Sequence, residues 1–428
     1  MKLYPFQRKI LDDTASHNRV GYFLDMGLGK TFIGGEKLIQ LDRPCNLIVC
    51  QKSKIADWIS HFKEHYPGYE VFDLTDKKRL GDYLLVERMA VRNSVYLGHT
   101  IGVINYDLVF RRKQLFDLDY FTLLLDESSL IQHPKAQRTK AVLKMKPANV
   151  ILLSGTPTAG KYENLWSQLN LLGWDISLKA FEQNYVNWKK IEAGGFTIRI
   201  VDKDSPYKNV ERLKSKMKAN GAVFMKTDEV FDLPAQNTTV IKINTTKEYR
   251  AFQKNGIVDV KGKTLVGDST LGKRIYSRML CGHFNPDKLT AFRDLCESTN
   301  DRLIAFYNFN EELDALKAIC GELERPVSEV NGHRKDLTAY EEEGDSITLI
   351  QYKAGAMGLN LQKANKIIYF TLTDEAELFL QSMKRIHLIG QEKPCFYYIL
   401  LCENSIEDKE ILPVLGLRGW YTDELFKK

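Results

Sequence analysis

Cysteine is scarce and follows no pattern. The seven residues Cys45, Cys50, Cys281, Cys296, Cys320, Cys395 and Cys402 are odd in number, scattered, and never in C-x-x-C spacing. That argues against a disulfide framework or a zinc site and leaves buried thiols. Long apolar runs are missing too: no stretch of about 18 apolar residues occurs. The opening Met1-Lys2-Leu3-Tyr4-Pro5-Phe6-Gln7 also lacks the apolar core of an export signal. Neither a membrane span nor secretion is expected, and the cytosol is the default compartment. Of the eight dispersed histidines only His61 and His65 stand at i, i+4, where an ordinary solvated helix face explains them better than a metal pair. Tandem repeats and low-complexity tracts are absent.

What is present is material for globular cores. A chain of 428 residues with 44% hydrophobic content can build two or three domains. Apolar β-like runs at Leu47–Cys50, Ile101–Asn105, Leu123–Leu125 and Val150–Leu153 are each followed by polar residues and helix-like spacing. A second series follows at Leu303–Phe306, Ile347–Tyr352, Lys366–Phe370 and Phe396–Leu401. Such alternation predicts an α/β fold with two lobes, each a mainly parallel sheet covered by helices, with ligand-binding residues at the carboxyl ends of strands. Between the lobes the pattern is charged and irregular, broken by Gly194-Gly195, Pro206 and Leu233-Pro234. The expected division is a first lobe over 1–173, a basic helical insertion and linker over 174–284, and a second lobe over 285–428.

The segment Asp25-Met26-Gly27-Leu28-Gly29-Lys30-Thr31 joins the apolar run Val20–Leu24 to a helical pattern. Gly27 and Gly29 let the backbone turn tightly and aim its N–H groups inward, Lys30 can neutralise β/γ-phosphates, and the Thr31 hydroxyl can ligate Mg²⁺. ATP with Mg²⁺ is the expected ligand. The full G-x-x-x-x-G-K-[ST] pattern wants glycine where this chain has Leu24, and a glycine-rich turn that merely carries a lysine is the plain alternative. Phe121–Leu125 reads as a buried strand ending in Asp126-Glu127. There Asp126 can hold Mg²⁺ through water and Glu127 can orient or deprotonate an attacking water; an N-cap Asp with a first-turn Glu is the structural alternative.

Charge is concentrated. The window Val186–Lys226 holds ten basic and four acidic residues, a net +6 that equals the charge of the whole chain. Lys214, Lys216 and Lys218 fall on a helical stretch, Val210–Ala219, within it. Clustered lysine and arginine is the footprint of phosphate-backbone binding, against a solvated helix without partner. Trp188, Phe196, Tyr207 and Phe224 could stack bases of a single strand, but aromatics among charges more often build a small local core.

Together these motifs resemble the Snf2 group of superfamily 2 helicase-type ATPases. Leu3-Tyr4-Pro5-Phe6-Gln7 is similar to the family's L-x-P-[YH]-Q, Asp25–Thr31 to its D-E-M-G-L-G-K-T loop, and Leu47–Phe62 to its LIVCPKSLLxNWxxEF segment. Ile104-Asn105-Tyr106-Asp107, Asp126-Glu127 and Leu152–Pro157 fall in the family's order. In the second half Leu303–Phe309, Lys353–Leu361 and Gln381–Gln391 resemble LIFSQF, RAGGLGLNL and QAxGRxHRIGQ. The match covers about residues 3–410.

The resemblance implies two RecA-like lobes and a DNA-dependent ATPase. Gln7 would read adenine, and Gly27, Gly29, Lys30, Thr31, Gly358 and Asn360 would belong to the nucleotide site. Lys30, Asp126, Glu127, Gln381 and Arg385 would be the catalytic set, and Lys52, Ser53, Asn105 and Lys353 would contact nucleic acid. It also implies tracking along double-stranded DNA without separating strands, with a strand-separating helicase on DNA or RNA, or an ATP-gated DNA clamp with weak hydrolysis, as alternatives. Compact size resembles the Snf2 proteins of phages and prophages of Gram-positive bacteria, which would place a monomer beside replication or recombination proteins. Two departures stand out: Leu388 occupies the place of a second arginine, and Ser129 that of a frequent histidine.

Overall fold

The computed structural model describes residues 3–92, 98–193, 196–355 and 359–426. The expected breakers Gly194-Gly195 and the expected nucleotide residue Gly358 lie outside the described residues. The chain forms two compact units, Met1–Val230 with Tyr421–Lys428, and Phe231–Trp420.

Among the described residues nine strands fall in the first unit. Six are β1 (Arg19–Leu24), β2 (Cys45–Cys50), β3 (Tyr69–Asp73), β4 (His99–Asn105), β5 (Thr122–Asp126) and β6 (Asn149–Ser154). A hairpin, β7 (Trp188–Ala193) and β8 (Phe196–Val201), precedes β9 (Ala222–Met225). The main sheet runs β3-β4-β2-β5-β6-β1-β9 and all its neighbours are parallel. Helices on its faces bury both sides, which is why β1, β2 and β5 read as continuous apolar runs and not as alternating ones. Three helices matter for the site: α1 (Pro5–Asp13), α2 (Lys30–Gln40) and α3 (Ile55–His65).

The second unit carries β10 (Gln236–Ile243), the hairpin β11 (Ile257–Val260) with β12 (Lys263–Val266), β13 (Leu303–Tyr307), β14 (Val327–Val330), β15 (Lys335–Asp336), β16 (Ile347–Gln351), β17 (Lys366–Tyr369) and β18 (Cys395–Cys402). Its sheet runs β10-β18-β17-β13-β16-β14-β15, parallel except at β14–β15. The α/β class expected from the sequence is the one observed.

The stretch 174–284 is not a separate body. The short run Ala222–Met225 pairs in parallel with β1 and closes the first sheet, while Gln236–Ile243 pairs with β18 and closes the second. The division therefore falls after Val230, and the hydrophobic face of the helix Val210–Ala219, with Leu213 and Met217 fully buried, belongs to the first core. The end of the helix Leu412–Phe426 also counts with that unit: Tyr421 sits edge-on to Tyr162 and Tyr207, and Phe426 packs on Phe224. Tyr207 stacks on Tyr162 at 4.6 Å and Phe224 lies 5.3 Å from Phe23, so these two aromatics are core. Trp188 lies under the Arg199 guanidinium, and the Phe196 side chain is outside the described residues.

All seven cysteines are buried and free. His61 is not on a solvated face. It is buried against Phe32, Trp58, Phe62 and Tyr66, and burial first, then the neighbouring His65, pushes its pKa down to about 4. Among the described residues no helix is long and apolar enough to cross a membrane.

Candidate nucleotide site and nucleic-acid groove

Parallel strands gather their carboxyl ends at one edge, so residues far apart in sequence meet there. β1 ends at Leu24, and the loop to α2 follows. Gly27 and Gly29 have φ of +86° and +70°, a left-handed backbone that glycine adopts without steric cost. A Cβ on Gly29 would stand 2.5 Å from the Gln7 side-chain nitrogen, so no other residue fits while Gln7 holds its place. Gln7 is fully engaged: its Nε2 donates to the Leu28 carbonyl at 3.0 Å and its Oε1 accepts from the Tyr4 amide at 2.9 Å. This glutamine ties α1 to the loop.

Lys30 opens α2, where the helix N-terminus adds partial positive charge. Its Nζ donates to the Leu24 carbonyl at 3.0 Å and the Asp25 carbonyl at 3.3 Å, so the ammonium is held over the mouth of the loop. Thr31 follows, half-buried in the first turn. Asp25 is braced from a distance: its backbone N–H donates to Met225 at 2.9 Å, and the Thr227 hydroxyl donates to its carboxylate at 3.3 Å.

On neighbouring strands β5 and β6, the Asp126-Glu127 pair and the Ser154-Gly155-Thr156 turn face this loop. A Cβ on Gly155 would lie 3.4 Å from Lys30 Nζ and 3.5 Å from the Leu24 carbonyl oxygen, so the turn and the loop are in contact. Asp126 Oδ2 accepts from the Trp58 indole at 2.9 Å, and the Tyr106 hydroxyl donates to the Asp126 carbonyl at 2.9 Å. Burial raises the Asp126 pKa, while the Trp58 hydrogen bond and the Lys30 charge pull against that rise. Glu127 sits at φ 54°, a left-handed position uncommon for a non-glycine residue, and its carboxylate accepts from Ser154 Oγ at 3.4 Å.

These features fit ATP and Mg²⁺. A buried carboxyl held above its ordinary pKa gains most from a cation, and the glycine loop at a helix N-terminus offers N–H groups to phosphates. Lys30 would hold the phosphates, and Thr31 and Asp126 the metal. The metal would supply charge neutralisation, and Glu127, one residue beyond Asp126, would be the group to take a proton from water. Trp58, Tyr106 and Thr227 orient this set; Trp58 and Tyr106 fall in the motif segments, but no local signal pairs any of the three with these acidic residues.

β3, β4 and β2 follow one another in the sheet up to β5, and the segments after them enclose a groove of about 700 Å³ whose lining includes Lys52, Thr75, Asn105, Asp107 and Arg111. Lys52 is exposed, and Asn105 is buried with its Oδ1 lacking a hydrogen-bond partner among the described atoms. Ser53 is exposed in the turn Lys52–Lys54. The structure thus brings Lys52 and Asn105 together. Lys216 and Lys218 are exposed on their helix, but Lys214 is only 6% exposed and pairs with Glu211 at 3.1 Å and Glu424 at 3.7 Å. That placement corrects the expectation that Lys214 contacts nucleic acid: the returning C-terminal helix covers it.

In the second unit Gln381 is buried on the helix Ala376–Met383 and donates to Glu377 at 3.3 Å. Arg385 is 2% exposed and donates through Nη1 to the Leu359 carbonyl at 3.4 Å. Asn360 is exposed, as is Lys353, which lies 3.9 Å from Glu375. Leu388 is 6% exposed and lies beyond the helix that ends at Met383, so it is a packed turn residue and not a helical one. An arginine there would bring a charge into an apolar place. Leu388→Arg is expected to lower Tm by several degrees without raising turnover, because uncompensated burial costs about 1–3 kcal/mol; paired melting and phosphate-release curves check it.

Fold and site define the class: a two-unit α/β protein whose first parallel sheet carries a glycine-lysine loop between a strand and a helix N-terminus, with an acid pair beside it. Comparison with family models narrows it. Residues 17–291 match the SNF2-related domain and residues 287–390 the helicase conserved C-terminal domain, and the chain belongs to the SNF2-related family of helicase-like ATPases. It is 24% identical over 90% of its length to the mouse protein "SWI/SNF-related matrix-associated actin-dependent regulator of chromatin subfamily A member 1", 39% of which is covered. To "ATP-dependent DNA helicase DDM1" of Arabidopsis thaliana it is 24% identical over 90% of its length and 56% of that protein. The chain spans about two fifths of the length of the curated relatives it first matches. Among solved structures it is similar to "Sulfolobus solfataricus SWI2/SNF2 ATPase core in complex with dsDNA", at 19% identity, with a TM-score of 0.44, over 99% of this chain and 92% of that one.

Proposed function

We propose that this chain is a motor core that hydrolyses ATP with Mg²⁺ and moves along double-stranded DNA. The observation that carries the reading is the shared edge of the first sheet. Lys30, Asp126, Glu127 and the Gly155 turn meet at the ends of β1, β5 and β6, and the groove with Lys52 and Asn105 opens at the ends of the adjoining β2 and β4. A nucleotide and a polymer held by loops of one sheet can influence each other through small shifts of those loops. Lys30 neutralises phosphate charge, Asp126 and Thr31 hold the metal, Glu127 accepts the proton of the attacking water, and Arg385 supplies positive charge to the transition state. Gln381, Asn360, Gly358 and Lys353 complete the set on the strength of the family motifs. A monomer working in the cytoplasm belongs to the same proposal, on the lack of long apolar runs in the sequence and on the resemblance to compact Snf2 proteins. The finer placement in phage DNA replication, recombination or repair rests on the sequence resemblance.

Duplex DNA is expected to stimulate phosphate release more than RNA does, and binding to weaken steeply with salt as counterions are released. Lys216→Glu with Lys218→Glu should weaken duplex binding at moderate salt while leaving ATP affinity in DNA-free protein unchanged. Lys214→Glu instead sets a third carboxylate beside Glu211 and Glu424 and should lower Tm. Unchanged duplex affinity in the double variant would remove this helix from the DNA surface, and equal stimulation by RNA and by duplex DNA would overturn the preferred polymer.

A further inference from the structure

A second cavity of the first unit, about 470 Å³, lies at the end of β1 opposite the nucleotide loop. Arg19, the first residue of β1, forms its charged wall and Lys146 its rim. The Arg19 guanidinium is fixed by two backbone carbonyls, donating to Leu171 at 2.6 Å and Pro147 at 2.9 Å. Among the described residues no carboxylate neutralises it, and burial lowers its pKa without a compensating charge. Lys146 is exposed and has no ion-pair partner among the described residues. The floor is apolar, made by Leu143, Met145, Trp166 and Leu171. It is rigid too: the Trp166 indole donates to the Ile176 carbonyl at 2.8 Å, and Asn170 Nδ2 donates to the Trp166 carbonyl at 2.9 Å.

Two cations without anions above a fixed apolar floor define the occupant. We propose that this cavity docks an acidic peptide segment of a protein partner, with one carboxylate between Arg19 and Lys146 and a neighbouring apolar side chain on the Trp166 floor. A guanidinium has five N–H donors and only two are used by the carbonyls, which leaves a fork for a carboxylate. Partly buried charge of this kind is costly until an anion meets it. A nucleic-acid phosphate would answer the charge and leave the floor uncovered. The volume falls in the range of ligand pockets. β1 spans six residues between this cavity and the phosphate loop, roughly 17–20 Å of strand, so peptide and nucleotide do not compete.

The test uses the full chain and a short fluorescein-labelled peptide alternating Asp or Glu with Phe and Leu, followed by anisotropy. The expected result is saturable binding, weakened about tenfold or more by Lys146→Glu, while Lys144→Glu, an exposed lysine outside the cavity, changes it little and ATP hydrolysis is unaffected by either. Equal weakening by the two variants would show diffuse charge attraction and overturn the site. Displacement of the peptide by a duplex oligonucleotide would assign the surface to DNA. Quenching of Trp166 by phenylacetate in a protein that ignores the peptide would make it a small-acid pocket instead.

Discussion

Lys30→Ala is expected to abolish ATP hydrolysis, with a loss on the order of 10³ or more, while Tm moves by only a few degrees. The ammonium is not core. It rests on two loop carbonyls at 3.0 and 3.3 Å, in a half-buried position, and those carbonyls can take water in its place. Two losses combine in the variant. The phosphates lose a point charge, and Asp126 loses the ammonium whose charge works against the rise that burial gives its carboxyl pKa. Phosphate release at saturating ATP and Mg²⁺, measured beside a melting curve, checks both parts. A purified variant turning over at the wild-type rate would mean that the loop does not serve nucleotide chemistry.

Arg385→Ala should remove duplex-stimulated turnover by a factor on the order of 10³–10⁵, the range for transition-state arginines in phosphoryl transfer, with little change in ATP affinity. Leu388 is packed where the family pattern expects a second arginine, so the rate should depend heavily on Arg385. Because Arg385 is 2% exposed and donates to the Leu359 carbonyl, alanine also costs stability, so Arg385→Lys is the sharper probe. Lysine keeps the charge and loses the planar fork. A catalytic Arg385 gives a Lys variant that melts near the wild type and still loses most of its rate. A residue that only holds the turn gives a Lys variant with normal turnover and a lowered Tm.

What the sequence made legible is what the backbone encodes locally. The glycines of the phosphate loop, the lysine opening a helix, and the acid pair at a strand end are neighbours along the chain, and their geometry follows from glycine φ angles and strand direction. Contacts across the sheet were not legible. Trp58 reaches Asp126 over 68 residues and Thr227 reaches Asp25 over 202; only the sheet order brings them together. Pairing of β9 with β1 moved the unit boundary for the same reason, since a short apolar run of four residues, Ala222–Met225, carries no signal of the strand it joins. Lys214 read as a nucleic-acid contact because one of its two carboxylate partners, Glu424, is supplied by the far end of the chain. His61 read as exposed because its helix alone does not reveal that Gly35 of α2 leaves room for an imidazole, whose Nε2 lies 2.8 Å from where a Cβ would be.

Triplex displacement tests the motor most directly. A duplex carrying a short third strand is incubated with the protein and ATP, beside a forked duplex lacking the third strand. ATP-driven movement along duplex DNA should release the third strand at a rate that follows ATP hydrolysis, fail with Lys30→Ala, and leave the fork paired. Opening of the fork would identify a strand-separating helicase. Hydrolysis with the third strand still in place would contradict movement along DNA altogether.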